Sequence, residues 1–256
     1  MPKQSLILAA LTALAACDGG GASPDARPPI DAREPNFECA DDVFPDPVPD
    51  PISYAGEIYE PGLTGSAQDE PVGGASIQAW DLARAQSLAF ANAGDDGRFT
   101  LELATGGDPL NTFLEARSNL HLTTRTYLPT PVFEPRDDID IPLFTQQHVD
   151  TTNNFAGITP DPSQGILVVR AFDCDAVPLA GVTFTLMPPP LDTLYVAAVG
   201  LPSYETKTSS QGAAIMLDIE PGSVRLDADY NGRELRGHTF EVVPTSTAVT
   251  TAAIVP

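Results

Sequence analysis

Beyond residue 53 the chain alternates apolar and polar residues in short runs broken by Gly, Pro, Asn and Asp. A period of two puts successive side chains on opposite faces, so the pattern predicts half-buried antiparallel strands. Phe99, Leu101 and Leu103 share one face of such a strand, with Thr100 and Glu102 on the other. Val224, Leu226, Ala228 and Tyr230 do the same, with Arg225, Asp227 and Asp229 facing out. Asn231-Gly232 then offers a type I′ hairpin turn, since both residues tolerate positive φ, and Phe240 and Val242 lie on the return strand. Residues 81–88 are rich in helix formers, although a strand through Leu88 and Phe90 fits them equally. Residues 142–156 suit one short helix capped by Thr145.

The pattern occurs twice. Pro71-Val72-Gly73-Gly74-Ala75-Ser76-Ile77 matches Pro178-Leu179-Ala180-Gly181-Val182-Thr183-Phe184. Each is preceded by a glycine-led strand, Gly56-Glu57-Ile58-Tyr59 or Gly165-Ile166-Leu167-Val168-Val169. Each is followed by a turn glycine, Gly97 or Gly212, that opens another strand. After Gly212 the apolar residues Ile215, Leu217 and Ile219 fall one position out of phase with the first copy, a shift that a bulge can absorb.

These residues resemble the carboxypeptidase regulatory-like, or transthyretin-like, domain. Asp95-Asp96-Gly97-Arg98-Phe99-Thr100-Leu101 is similar to that family's later turn and strand, and Ile219-Glu220-Pro221-Gly222 to its closing turn. The first copy has Ala104-Thr105-Gly106-Gly107 in place of a Pro-Gly closing turn. The resemblance implies an all-β fold: two tandem antiparallel β-sandwich domains, transthyretin-like or Ig-like, at residues 53–145 and 160–256. It also implies an accessory module that supports folding, spacing or surface contact without catalytic residues.

Residues 1–16 read as a signal peptide, with Lys3 ahead of a short apolar run from Leu6 to Ala16. Leu14-Ala15-Ala16-Cys17 resembles the bacterial lipoprotein box, which implies a diacylglyceryl group on the Cys17 thiol and cleavage before it. Acyl chains there would hold the protein to a lipid bilayer. Asp18 follows, a position that sorts lipoproteins between membranes by rules that vary among bacteria. Residues 17–52 read as a disordered linker, because eight prolines and many Asp leave too little apolar surface to offset ordering entropy.

Composition narrows the partners. With 35 acidic and 13 basic side chains the formal charge is −22, which argues against nucleic acid and against electrostatic docking on anionic lipid. No apolar run is long enough for a transmembrane helix. The expected setting is the cell envelope. The expected partners are the bilayer, through acylated Cys17, and an envelope protein or a glycan.

Lipidation of Cys17 leaves Cys39 and Cys174 in an oxidising compartment, where they form a disulfide or stay as two free thiols. His121, His148 and His238 lack partners at metal-ligand spacing, and no nucleophile elbow, phosphate loop or zinc motif occurs, so neither enzyme activity nor a cofactor is expected. A divergent hydrolase would need His121 or His148 beside an acid in a pocket. Asp137, Asp138 and Asp140, like Asp95 and Asp96, lack the spacing of a dedicated Ca²⁺ loop. Trp80, the lone tryptophan, is the candidate ligand-binding residue: it stacks on a sugar or packs into a strand face.

Overall fold

A computed structural model of the chain describes residues 34–41, 45, 47–62, 69–84 and 86–256. Residues 1–16, read above as a signal peptide, and Cys17 lie outside the described residues. Glu34–Pro256 form one compact unit.

The first half supplies eight strands: β1 (Ile52–Glu60), β2 (Glu70–Pro71), β3 (Ser76–Asp81), β4 (Ser87–Asn92), β5 (Arg98–Leu103), β6 (Thr112–Arg117), β7 (Thr124–Tyr127) and β8 (Arg136–Pro142). Helix α1 (Gln146–Ala156) follows. The second half supplies β9 (Gly165–Ala171), β10 (Val182–Met187), β11 (Asp192–Val196), β12 (Pro202–Ser203), β13 (Ala213–Ile219), β14 (Gly222–Tyr230), β15 (Arg233–Val242) and β16 (Val249–Ile254). Among the described residues the fold is all-β apart from α1 and a 3₁₀ turn at Glu38–Asp41. Of the two readings of residues 81–88, the strand holds, because a turn ends at Arg84 and β4 begins at Ser87.

In the first half, β1 pairs with β5 and β2 antiparallel and with β8 parallel. In the second, β10, β14 and β15 form an antiparallel sheet. Between them runs one sheet of nine strands, ordered β12-β11-β13-β9-β16-β7-β6-β3-β4. The last strand makes it continuous: β16 lies parallel to β9 on one side and to β7 on the other. The register shows which faces are covered. Leu114 and Ala116 of β6 face the β1/β5/β8 sheet, in a core with Ile52, Ile58, Leu101 and Ile141. Phe113 and Tyr127 face the other way and join the second half's core, with Leu167, Val169, Met216, Leu226 and Phe240. The nine-stranded sheet is therefore a shared middle layer, with each half's smaller sheet on opposite faces.

The two copies of the repeat are built around the same clamp. The Ile58 N–H donates to Gly97 O at 2.8 Å, and Ile58 O accepts from Val72 N–H at 2.8 Å. In the second copy the Ala171 N–H donates to Gly212 O at 2.8 Å, and Ala171 O accepts from Leu179 N–H at 2.9 Å. A Cβ on Gly97 would lie 2.6 Å from Ile58 O, and one on Gly212 would lie 2.7 Å from Ala171 O. Both glycines also have positive φ, 76° and 63°, so glycine is required twice over. This alignment matches Ile58 with Ala171 and corrects the pairing of Gly56 with Gly165. Gly165 opens β9, whereas Gly56 sits inside β1, where a Cβ would collide with Ile139 O of the parallel strand β8.

The out-of-phase reading of the second copy is also corrected. Counting from Gly212, the inward residues are Ala214 and Met216, in step with Phe99 and Leu101 after Gly97. A bulge at Asp218, with φ 56°, then brings Ile219 inward. Ile215 and Leu217 face the opposite side, where α1 covers them. There Val149 packs with Ile166, Leu194, Leu217 and Val249 in a third cluster. Helix α1 is capped at Thr145, as its sequence implies, and at its other end by Gly157 in the left-handed conformation.

Order begins upstream of residue 53. Asn36 O accepts from Cys174 N–H at 2.9 Å, the Phe37 ring packs tilted against Tyr230, and Cys39 is disulfide-bonded to Cys174. Further on, Val48 N–H donates to Gly107 O at 3.0 Å and Thr105 N–H to Asp50 Oδ1 at 3.0 Å. The segment thus grips the second half first and the first half afterwards.

Candidate functional surfaces

The most concentrated buried charge lies where the halves meet. Glu115 on β6 and Arg125 on β7 are opposite each other across the ladder, with side chains 2% and 3% exposed. Arg125 Nε donates to Glu115 Oε2 at 3.0 Å, Arg84 reaches the same oxygen at 3.1 Å, and Arg117 binds Oε1. Burial alone would raise the Glu115 carboxyl, but hydrogen bonds from Arg117 and Arg125 and the nearby positive charges hold it below the ordinary range. Beneath it Tyr127 stacks on Phe240 and donates its hydroxyl to Glu241 O at 3.0 Å. No buried side-chain polar atom of Glu115 or Arg125 lacks a partner, and Arg125 Nη1 lies 3.9 Å from Glu241 Oε2 of the second half, so the cluster fastens the halves rather than receiving a ligand.

Trp80 sits on the same face of β3, half-buried against the second half's core. The Arg84 guanidinium covers its ring at 5.2 Å, and its Nε1 is buried without a hydrogen-bond partner.

The histidines occupy separate places. His121 Nε2 meets Glu60 Oε2 at 2.9 Å, while its Nδ1 is buried without a partner, so no nucleophile bonds to that ring. His148 Nδ1 accepts from Thr145 N–H at 3.1 Å and lies 2.7 Å from its hydroxyl, and Nε2 donates to Pro61 O at 2.7 Å. That pair is a helix cap that ties α1 to the end of β1. Burial and the charge of Arg236 push the His238 ring down. Of the acidic groups, Asp138 is ion-paired with Arg136 at 2.8 Å and Asp96 bonds the backbone of Arg98. Among the described residues no group of three or more His, Cys, Asp or Glu is placed to hold a metal ion. No helix among them is long and apolar enough to cross a membrane.

Two features stand open. The first is β4, Ser87-Leu88-Ala89-Phe90-Ala91-Asn92, the terminal strand of the middle sheet. It carries no charge, no strand among the described residues pairs with its outer side, and Phe90 is 60% exposed. The Ala93 N–H bonds Ala75 O, so the pairs Ala91–Ile77 and Ala89–Ala79 exchange the ladder bonds. The N–H and C=O of Phe90 consequently point outward. Other edges are defended. Arg136, Asp137, Asp138 and Asp140 line β8, and charged residues line β15. On β10 the N–H groups of Val182 and Phe184 are taken by the Thr208 and Tyr195 hydroxyls.

The second feature is a cavity of about 390 Å³ between α1, the turn before β9 and the β13 bulge. Its walls come from segments up to 124 positions apart, from Leu122 to Ser246, and include Gln146, Gln164 and Asp218. No local spacing pointed to it. The strand itself was legible in part, since a strand through Leu88 and Phe90 was one of the two readings of that stretch; that it ends the sheet was not.

No family model matches the chain, and no curated protein does. Among solved structures it is similar to the Bacillus anthracis TIE protein, at 11% identity and a TM-score of 0.24 over 80% of this chain. The chain spans about a third of that protein's length, 34%. The shaft pilin SpaA of Lactobacillus rhamnosus GG matches at 8% identity, covering 80% of this chain and 98% of the pilin, with a TM-score of 0.25. GBS52, the minor pilin of Streptococcus agalactiae, matches at 15% identity over 80% and 95% of the two chains, with a TM-score of 0.24. The fold assignment rests on the chain's own sheets.

Proposed function

We propose that this is a non-catalytic envelope lipoprotein, held to a bilayer through acylated Cys17, that presents a rigid pair of β-sandwich halves and binds a partner protein by strand addition along β4. The anchor rests on Leu14-Ala15-Ala16-Cys17 behind a short apolar segment. The duplicated clamp around Gly97 and Gly212 supports reading each half as a transthyretin-like module. The observation that carries the interaction is the uncharged, unpaired edge of β4. Its outward amide groups would supply main-chain hydrogen bonds, and Phe90 a side-chain anchor, to an extended segment.

A photo-crosslinking side chain at Phe90 tests it in intact cells. The expected result is a discrete protein adduct at that position, none at exposed Arg225 on β14, and loss of the adduct when Asn92→Lys, at an exposed position on the same face as Phe90, puts a charge on the edge. Equal labelling at both positions, or none at Phe90, would sink the strand-addition reading. Mass analysis of the N-terminus tests the anchor separately, with a diacylglyceryl group on Cys17 expected.

A further inference from the structure

From the cavity beside α1 we infer a binding site for a neutral saccharide, independent of the β4 edge and of Trp80. At about 390 Å³ the space falls within the range of small-molecule sites. Three elements build it. Helix α1 turns Gln146, Val149 and Asn153, spaced three and four apart, toward one wall. The turn before β9 adds Gln164, and the chain between β15 and β16 adds Thr245 and Ser246. The bulge in β13 adds Asp218.

The lining chemistry selects the ligand. No Lys, Arg or His reaches the cavity, so an anion would find no counter-charge. The hydrogen-bonding groups are of both kinds. The Gln164 amide and the Ser246 hydroxyl can donate. Asp218 accepts, as do the oxygens of Gln146 and Asn153, whose nitrogens already bond Asp150 and Val149. A sugar hydroxyl donates and accepts together and uses such a mixed set, whereas an ammonium would leave the donors unmatched. Leu122, Val149 and Ile166 offer an apolar floor for the C–H face of a pyranose ring. Asp161 Oδ1 already accepts from the Ser163 N–H and hydroxyl, so that carboxylate adds one acceptor, its other oxygen.

Asp218 gives a clean test. It holds φ 56°, a backbone state that suits glycine better than any other residue, so Asp218→Gly removes the carboxylate without straining the bulge. The full-length protein is examined by saturation-transfer-difference NMR with cellobiose, maltose, lactose and N,N′-diacetylchitobiose at millimolar concentration. At least one is expected to show transfer. That signal should fall tenfold or more in Asp218→Gly and in Ser246→Ala, with the melting temperature unchanged or raised in the first. Trp80→Phe and Phe90→Ser should bind as the parent does. Absence of transfer from all four sugars overturns the inference. So does transfer that survives both cavity variants or disappears in Trp80→Phe, and so does spermidine binding where the sugars fail. None of these results touches the crosslink expected at Phe90.

Discussion

Glu115 shows what one residue can hold together. Its carboxylate is buried among three arginines, and Arg125 opposite it is equally buried. Removing the charge leaves Arg125 only the exposed Glu241 carboxylate, 3.9 Å from its Nη1, and loss of the close partner in comparable buried pairs costs about 3–5 kcal/mol. Glu115→Gln should therefore lower the melting temperature markedly at neutral pH. Because the folded protein holds this carboxyl below its ordinary value of 4.5, its stabilising contribution is present above that value. The contribution is lost as pH falls through the lower, folded value. The gap in melting temperature between the parent and Glu115→Gln should accordingly close in acid, and a gap independent of pH down to strongly acidic conditions would refute the ionic role. Alternation in the sequence places Glu115 on a strand face but cannot tell that the face is covered. Only the second half, arriving through β16, buries it. Gly97 and Gly212 were readable as turn residues, but the carbonyls that press on them come from strands some 40 positions earlier.

At the scale of elements, the strands were legible wherever one face met a core and the other met water. The pattern misled in β13, where both faces are apolar because α1 covers the outer one. A two-sided strand carries no alternation to read, so Ile215 and Leu217 passed for inward residues. The segment upstream of β1 differs from its composition in the opposite sense. Its prolines and acids leave little to bury, yet backbone bonds to Cys174 and Gly107, the Asp50 carboxylate on the Thr105 N–H and the Cys39–Cys174 disulfide fix it across both halves. That bond spans 135 positions, and loop entropy gives such a closure about 5 kcal/mol. Replacing both cysteines by serine should shift the urea midpoint down by a corresponding amount, with an added loss of protection from hydrogen exchange at the amides of Val48 and Thr105. Unchanged exchange at those two amides would show that the strap is held without the bond.

Across the whole molecule, the repeat implied two sandwiches in sequence, and the structure has both of their cores. What the repeat could not convey is their union. Strand β16 completes the second half by lying beside β9, as β8 completes the first by lying beside β1, and its other edge is then taken by β7. This second pairing depends on two edges left open by separate halves, and no local pattern encodes it. It places the Glu115 cluster, Trp80 and the Tyr127–Phe240 stack at the junction, and leaves β4 as the longer of the two uncharged termini of a sheet nine strands wide, the other being the two-residue β12. A body joined in this way should unfold cooperatively. Differential scanning calorimetry of the disulfide-bonded protein tests that union most directly. The account predicts one transition whose calorimetric and van't Hoff enthalpies agree. Two resolved transitions, each with the enthalpy of a domain of about 100 residues, would contradict it.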